Sequence, residues 1–132
     1  MIWIRALAVW LAIIVVESVH GTLRQLFLAP VLGDFPARRI AVFTGALLIV
    51  AIATLTARWL GTRTMRERFQ VGALWVVLTV AFEFLLGRLV LRYDWSRLLE
   101  DYDPSRGGLM LLGLAVMFLS PLIGARMRGL DR

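Results

Sequence analysis

Residues 2–30 read IWIRALAVWLAIIVVESVHGTLRQLFLAP, and the reading of this stretch decides the fold. Its first half is apolar enough to sit in lipid. Its second half carries Glu17, His20 and Arg24 at steps of three and four. On a helix these residues share one stripe with Gly21, while Val15, Val19, Leu23 and Leu26 take the opposite face. The apolar pattern runs on through the charges, so the segment reads as one membrane span with a polar stripe turned toward the bundle. One early arginine and an apolar run would also suit a signal peptide. No small-x-small cleavage site follows Val16, so an uncleaved first span is expected.

The rest of the chain repeats this alternation of apolar runs and breaks. It has 132 residues, 60% of them hydrophobic, and a mean hydropathy of +0.79. Soluble domains hold about 45–50% apolar residues. Here the excess falls in four runs, so a single all-α domain is expected, a four-helix transmembrane bundle with spans near 2–28, 39–60, 69–91 and 109–125. Each is close to the roughly 17–25 residues needed to cross a bilayer. Pro30, Gly33, Asp34 and Pro36 mark the first turn and residues 61–68 the second. Ser120-Pro121 predicts a bend late in the fourth span. The longest connection, residues 92–108, holds DWSRLLEDYDPSRGG. A short amphipathic helix there would put Trp95, Leu98, Leu99 and Tyr102 on one side, flat among lipid headgroups. Asp103-Pro104 and Gly107-Gly108 would end it.

Composition removes several chemistries. There is no cysteine and one histidine, His20, so disulfides and a multi-histidine metal site are excluded, and no cofactor is expected. All 15 basic residues are arginine, giving a net charge of +6. They cluster at the ends of apolar runs, which points to anionic lipid headgroups as partners rather than nucleic acid. Arg5, Arg58, Arg63, Arg66, Arg68, Arg126, Arg128 and Arg132 fall on one side. Arg38, Arg39, Arg92, Arg97 and Arg106 fall on the other. The bias predicts both termini in the cytoplasm. Residues 63–68 are expected to hold headgroups of that leaflet, with Trp3, Trp59, Tyr93 and Trp95 in the interfacial belts. Gly45, Gly72 and Gly113 permit close helix approach.

Spans one and three share a pattern. Glu17-x-x-x-Gly21 is matched by Glu83-x-x-x-Gly87, and Trp10 and Trp75 precede the two acids by about two turns. Two parallel helical-hairpin repeats related by an axis along the membrane normal would account for this. Across the bundle, Glu17, Arg24, Glu83 and Arg88 could form a four-charge network with His20 between. A charge at mid-membrane costs about 2.5–3.5 kcal/mol, so Glu17 must be protonated, paired or wet.

The stretches ESVHGTLR (17–24), GDFPARR (33–39), AFEFLLGRLV (81–90) and SRLLEDYDPSRGGLM (96–110) together resemble a family of small four-helix bacterial membrane proteins. That family carries a Glu-x-x-His-Gly-x-x-Arg stretch, a Gly-Asp-Phe-x-x-Arg turn and an acidic later loop. The resemblance spans nearly the whole chain and implies a bacterial inner-membrane source and this architecture, but no activity. It singles out Glu17, His20, Arg24, Asp34, Arg39, Glu83 and Arg88 as candidate site residues. Two readings stay open. The polar stripe permits ion or proton movement, in a homo-oligomer because four helices enclose little, or it packs helices in a non-transporting accessory subunit beside a partner. No enzyme is expected, because no nucleophile stands beside Glu17 and His20.

Overall fold

A computed structural model describes residues 2–100, 102, 103, 105 and 108–130. It is all-α among the described residues, and its five helices are α1 (Ile2–Leu32), α2 (Asp34–Leu60), α3 (Met65–Val90), α4 (Trp95–Glu100) and α5 (Met110–Met127). All but α4 are long and apolar enough to cross a membrane.

The boundaries differ from the expected ones for local reasons. α1 continues past Leu28 to Leu32, through Pro30. This proline follows a π-helical turn, Arg24–Leu28, where the regular backbone ladder is already interrupted. α2 begins five residues early, at Asp34 rather than Arg39. Gly33, at φ +93°, reverses the chain, and Pro36 falls in the first turn, where no intrahelical N–H is needed. Asp34 also meets the positive end of the helix dipole. α3 starts at Met65 because Thr64 and Glu67 form a reciprocal capping box.

Two hairpins, α1–α2 and α3–α5, lie side by side. α1 packs on α2 and α3, while α5 packs on α2 and α3. The core is built by Ala6, Val9 and Ile13 of α1, Ile49, Ala53 and Leu60 of α2, Val71 and Trp75 of α3, and Met117 of α5. Two glycines set the closest approaches. A Cβ on Gly124 would stand 2.7 Å from the Ala53 carbonyl oxygen, and one on Gly72 would overlap the Phe118 carbonyl. At Gly113 the same test gives an ordinary 3.4 Å contact with Val42. Trp10 and Trp75 are pinned inside. The Trp75 indole donates to Ala6 O at 2.9 Å, and that of Trp10 donates to Thr79 Oγ1 at 3.0 Å. α5 continues as helix through Pro121 to Met127. Ser120 Oγ donates at 2.7 Å to Met117 O, the carbonyl that Pro121 cannot serve. Toward lipid the helices present Val15, Val19, Leu23 and Leu26 of α1, all exposed, on the face the stripe analysis assigns to them.

The connection between α3 and α5 departs from a helix lying flat among headgroups. α4 docks on the bundle end. Leu98 packs on Gly87 of α3, where a Cβ would come within 2.5 Å. Phe84 takes Trp95 on one contact (5.9 Å between centroids) and Tyr102 on another (5.3 Å). Trp95 and Leu99 stay exposed. Of the expected terminators of this segment, Pro104 and Gly107 lie outside the described residues, as do Asp101, Arg106, Asp131 and Arg132 of the charge count. We call the end under α4 the capped end and the one holding both chain termini the terminal end.

Candidate functional site

The polar stripe of α1 meets α2. Glu17 and His20 are each about a quarter exposed, with Oε2 of the acid 3.8 Å from Nδ1 of the imidazole. His20 Nε2 lies 2.6 Å from Thr44 Oγ1. The Thr44 hydroxyl also reaches back to Ala41 O at 3.3 Å. If the hydroxyl proton goes to Ala41, Nε2–H donates to Thr44 and Nδ1 is left as an acceptor facing Glu17; this tautomer is assigned from the network. The carboxylate fits because the next α2 residue is Gly45: a Cβ there would be 2.9 Å from Oε2. Glu17 Oε1 is buried without a hydrogen-bond partner among the described residues, and so is Nε of Arg24, one turn above at the start of the π-helical turn. Glu83 of α3 is exposed, yet near enough for its charge to act on Glu17.

These groups form a layer. At 1.5 Å per residue, Glu17 lies about 18 Å along α1 from Arg5. His20, Thr44 (from Trp59) and Glu83 (from Arg68) each lie about 22 Å along their helices. The ring of Arg5 and Trp59 marks the terminal end, since Arg5 Nη1 donates to Trp59 O at 2.9 Å. Below the layer the bundle is packed with Ile13, Ile49, Trp75, Met117 and Ala53, all under a tenth exposed. The α1–α3 contacts run from Ala6 and Trp75 near the terminal end, through Trp10 and Thr79, up to Phe82 at the height of the layer.

A second group holds α4 over the capped end. Arg38, 7% exposed, places Nε 3.1 Å from Asp34 and Nη2 2.6 Å from Glu100 of α4. Arg97 of α4 returns to Asp34 through Nη2, at 3.1 and 3.0 Å from its two oxygens. Arg97 also lies 3.7 Å from the Tyr93 ring centroid. The first turn and the last loop are thereby cross-linked by alternating charges.

The seven residues singled out by sequence thus fall in different places. Glu17 and His20 meet, with Arg24 above them and Glu83 beside them. Asp34 belongs to the cap. Arg39 is exposed, its guanidinium 6.0 Å from the Phe35 ring centroid, while its neighbour Arg38 is the buried one. Arg88 does not enter a four-charge network: Nη1 donates to Tyr93 O at 2.9 Å and the guanidinium lies 4.8 Å from the Trp95 centroid. Arg38 carried a legible signal, being spaced i, i+4 from Asp34 and closing the Gly-Asp-Phe-x-x-Arg stretch. Gly45 was legible as a site of close approach but not as the partner of Glu17, and Thr44 carried no signal, since it reads as a small residue in an apolar run. No family model, curated protein or solved structure matches the chain.

Proposed function

We propose that this small multi-pass membrane protein is a non-transporting accessory or assembly subunit of a membrane complex, in which the Glu17–His20–Thr44 cluster pins α1 to α2 and the α4 cap fixes the opposing loops. The observation that carries this reading is the apolar packing under the polar layer. Between Glu17 and the terminal end the interior is filled by Ile13, Ile49, Trp75 and Met117, with the interior indoles already hydrogen-bonded. A helix-to-helix hydrogen bond in lipid is worth about 0.6–2 kcal/mol, enough to set the α1–α2 register. The family resemblance and the arginine distribution support a bacterial inner membrane with both termini cytoplasmic, and no catalytic role is assigned.

Ion or proton movement is the second reading, and one observation favours it. Oε1 of Glu17 has no hydrogen-bond partner among the described residues, and Nδ1 of His20 faces Oε2 across 3.8 Å, too far for a direct hydrogen bond but a gap that a water can bridge. A path would then need a second copy or a partner to continue it. Flux from proteoliposomes separates the two readings. The accessory reading expects the same proton and ion leak in protein-free and protein-loaded vesicles, and the same for Glu17→Gln, His20→Ala and Glu83→Gln. It further expects a membrane partner to co-purify with the native chain and to be lost on His20→Ala. Protein-dependent flux abolished by Glu17→Gln would overturn it.

A further inference from the structure

At the terminal end the structure holds a basic recess that the polar layer does not use. It has a volume of about 570 Å³ and is lined by Arg5, Arg58 and Arg63, with Glu67 at the rim and Ile2 and Leu60 as apolar wall. Three guanidiniums face one carboxylate, and that carboxylate is engaged: Glu67 Oε1 accepts from the backbone N–H of Arg63 at 2.7 Å and of Thr64 at 3.3 Å. Arg5 is fixed by Trp59 O and lies 5.6 Å from the Trp59 ring centroid, which keeps its remaining N–H groups in place. Arg58 and Arg63 are exposed and free to turn in. Arg68 is not part of the recess, although it closes the basic loop in sequence. It is buried, with Nε on Thr62 Oγ1 at 3.2 Å and Nη2 on Leu130 O at 3.3 Å. The loop therefore splits into an inward tether and an outward anion site.

We propose that this recess binds the phosphate of one anionic phospholipid, the Arg5, Arg58 and Arg63 guanidiniums holding the headgroup while half-buried Ile2 meets its glycerol backbone. Several arginines converging on one recess supply the forked donors that a phosphate diester accepts. The place is right for a lipid, because exposed Trp59 stands beside it, its ring 5.6 Å from the Arg5 guanidinium, and tryptophan is a residue type that settles at the interface. A free phosphate has the same oxygen chemistry but no use for the apolar wall.

The test is native mass spectrometry of the purified chain in phosphatidylcholine micelles titrated with phosphatidylglycerol, and in a parallel arm with inorganic phosphate. One phosphatidylglycerol is expected to bind in preference to phosphatidylcholine, undisturbed by millimolar inorganic phosphate. Removing charge should weaken it by about five-fold per guanidinium in Arg58→Gln and Arg63→Gln. Arg58→Lys and Arg63→Lys keep the charge but lose the fork, and should bind between the native chain and the glutamine variants. Arg66→Gln, exposed but outside the recess, should leave it unchanged. Both target residues are exposed, so folding is checked by helicity and is expected to be native. Equal binding of both lipids, equal loss on Arg66→Gln, or phosphate binding that phosphatidylglycerol does not displace would each overturn the proposal.

Discussion

Replacing Gly124 by alanine tests the helix packing most sharply. The added Cβ would stand 2.7 Å from Ala53 O, 2.8 Å from Ala53 C and 2.9 Å from Thr54 N, all backbone atoms of α2. A carbon–oxygen contact settles at about 3.3–3.6 Å, so the two helices must part by about 0.6 Å or more. A gap of that size forfeits a quarter to a half of each contact along the α2–α5 seam. Overpacking of this kind costs about 1–3 kcal/mol, and rigid backbone places it near the upper end. Leaving glycine inside a helix returns about 0.5–1 kcal/mol, for a net loss of about 2 kcal/mol. Two matched variants calibrate this. At Gly21 nothing lies within 4 Å, so Gly21→Ala should gain about 0.5–1 kcal/mol. At Gly45 the new methyl meets only the mobile end of Glu17, so Gly45→Ala should fall near zero once the carboxylate swings aside. Reversible unfolding in mixed detergent micelles reads all three. Gly124→Ala as stable as the native chain, or Gly21→Ala the more damaging, would refute the seam.

Further outcomes follow from the same geometry. Arg38→Met should free α4, so limited proteolysis within residues 92–105 should quicken several-fold, whereas Arg39→Met, whose side chain is exposed, should leave the rate unchanged. Ser120→Ala strips the hydroxyl donor from the Met117 carbonyl at Pro121 and should cost about 1–3 kcal/mol by the same unfolding assay. A hydrophobic carbodiimide should modify Glu17 in micelles, since Oε1 is not hydrogen-bonded among the described residues, and Glu17→Gln should abolish that adduct as read by peptide mass; modification of Glu83 alone would contradict it.

Hydropathy made the four spans legible because lipid demands long uninterrupted apolar helices, and no tertiary detail can override that. Their ends were less so. Gly33 and Thr64 set the starts of α2 and α3, and these act through backbone geometry and capping rather than through hydropathy. Glu17 and His20 were legible as ionisable groups at helical spacing, but their partners were not. Sequence favoured charge on α3, and the structure supplies a hydroxyl and a bare glycine on α2. Of two adjacent arginines, the buried one is decided by the helical register that Asp34 begins, so a one-residue choice between Arg38 and Arg39 lay below the resolution of composition. α4 docks rather than floats because Gly87 leaves a hollow for Leu98, a fit that amphipathic periodicity does not encode.

The central claim is a polar layer with Thr44 exposed at its edge and sealed toward the terminal end by the packing of Ile13, Ile49, Trp75 and Met117. The chain has no cysteine, so single cysteines can be placed without background. A membrane-impermeant thiol reagent applied to oriented vesicles should label Thr44→Cys from the capped side only. It should label neither Ala53→Cys nor Thr79→Cys, both buried, from either side. Labelling of Ala53→Cys or Thr79→Cys from the terminal side, or silence at Thr44→Cys, would contradict the account.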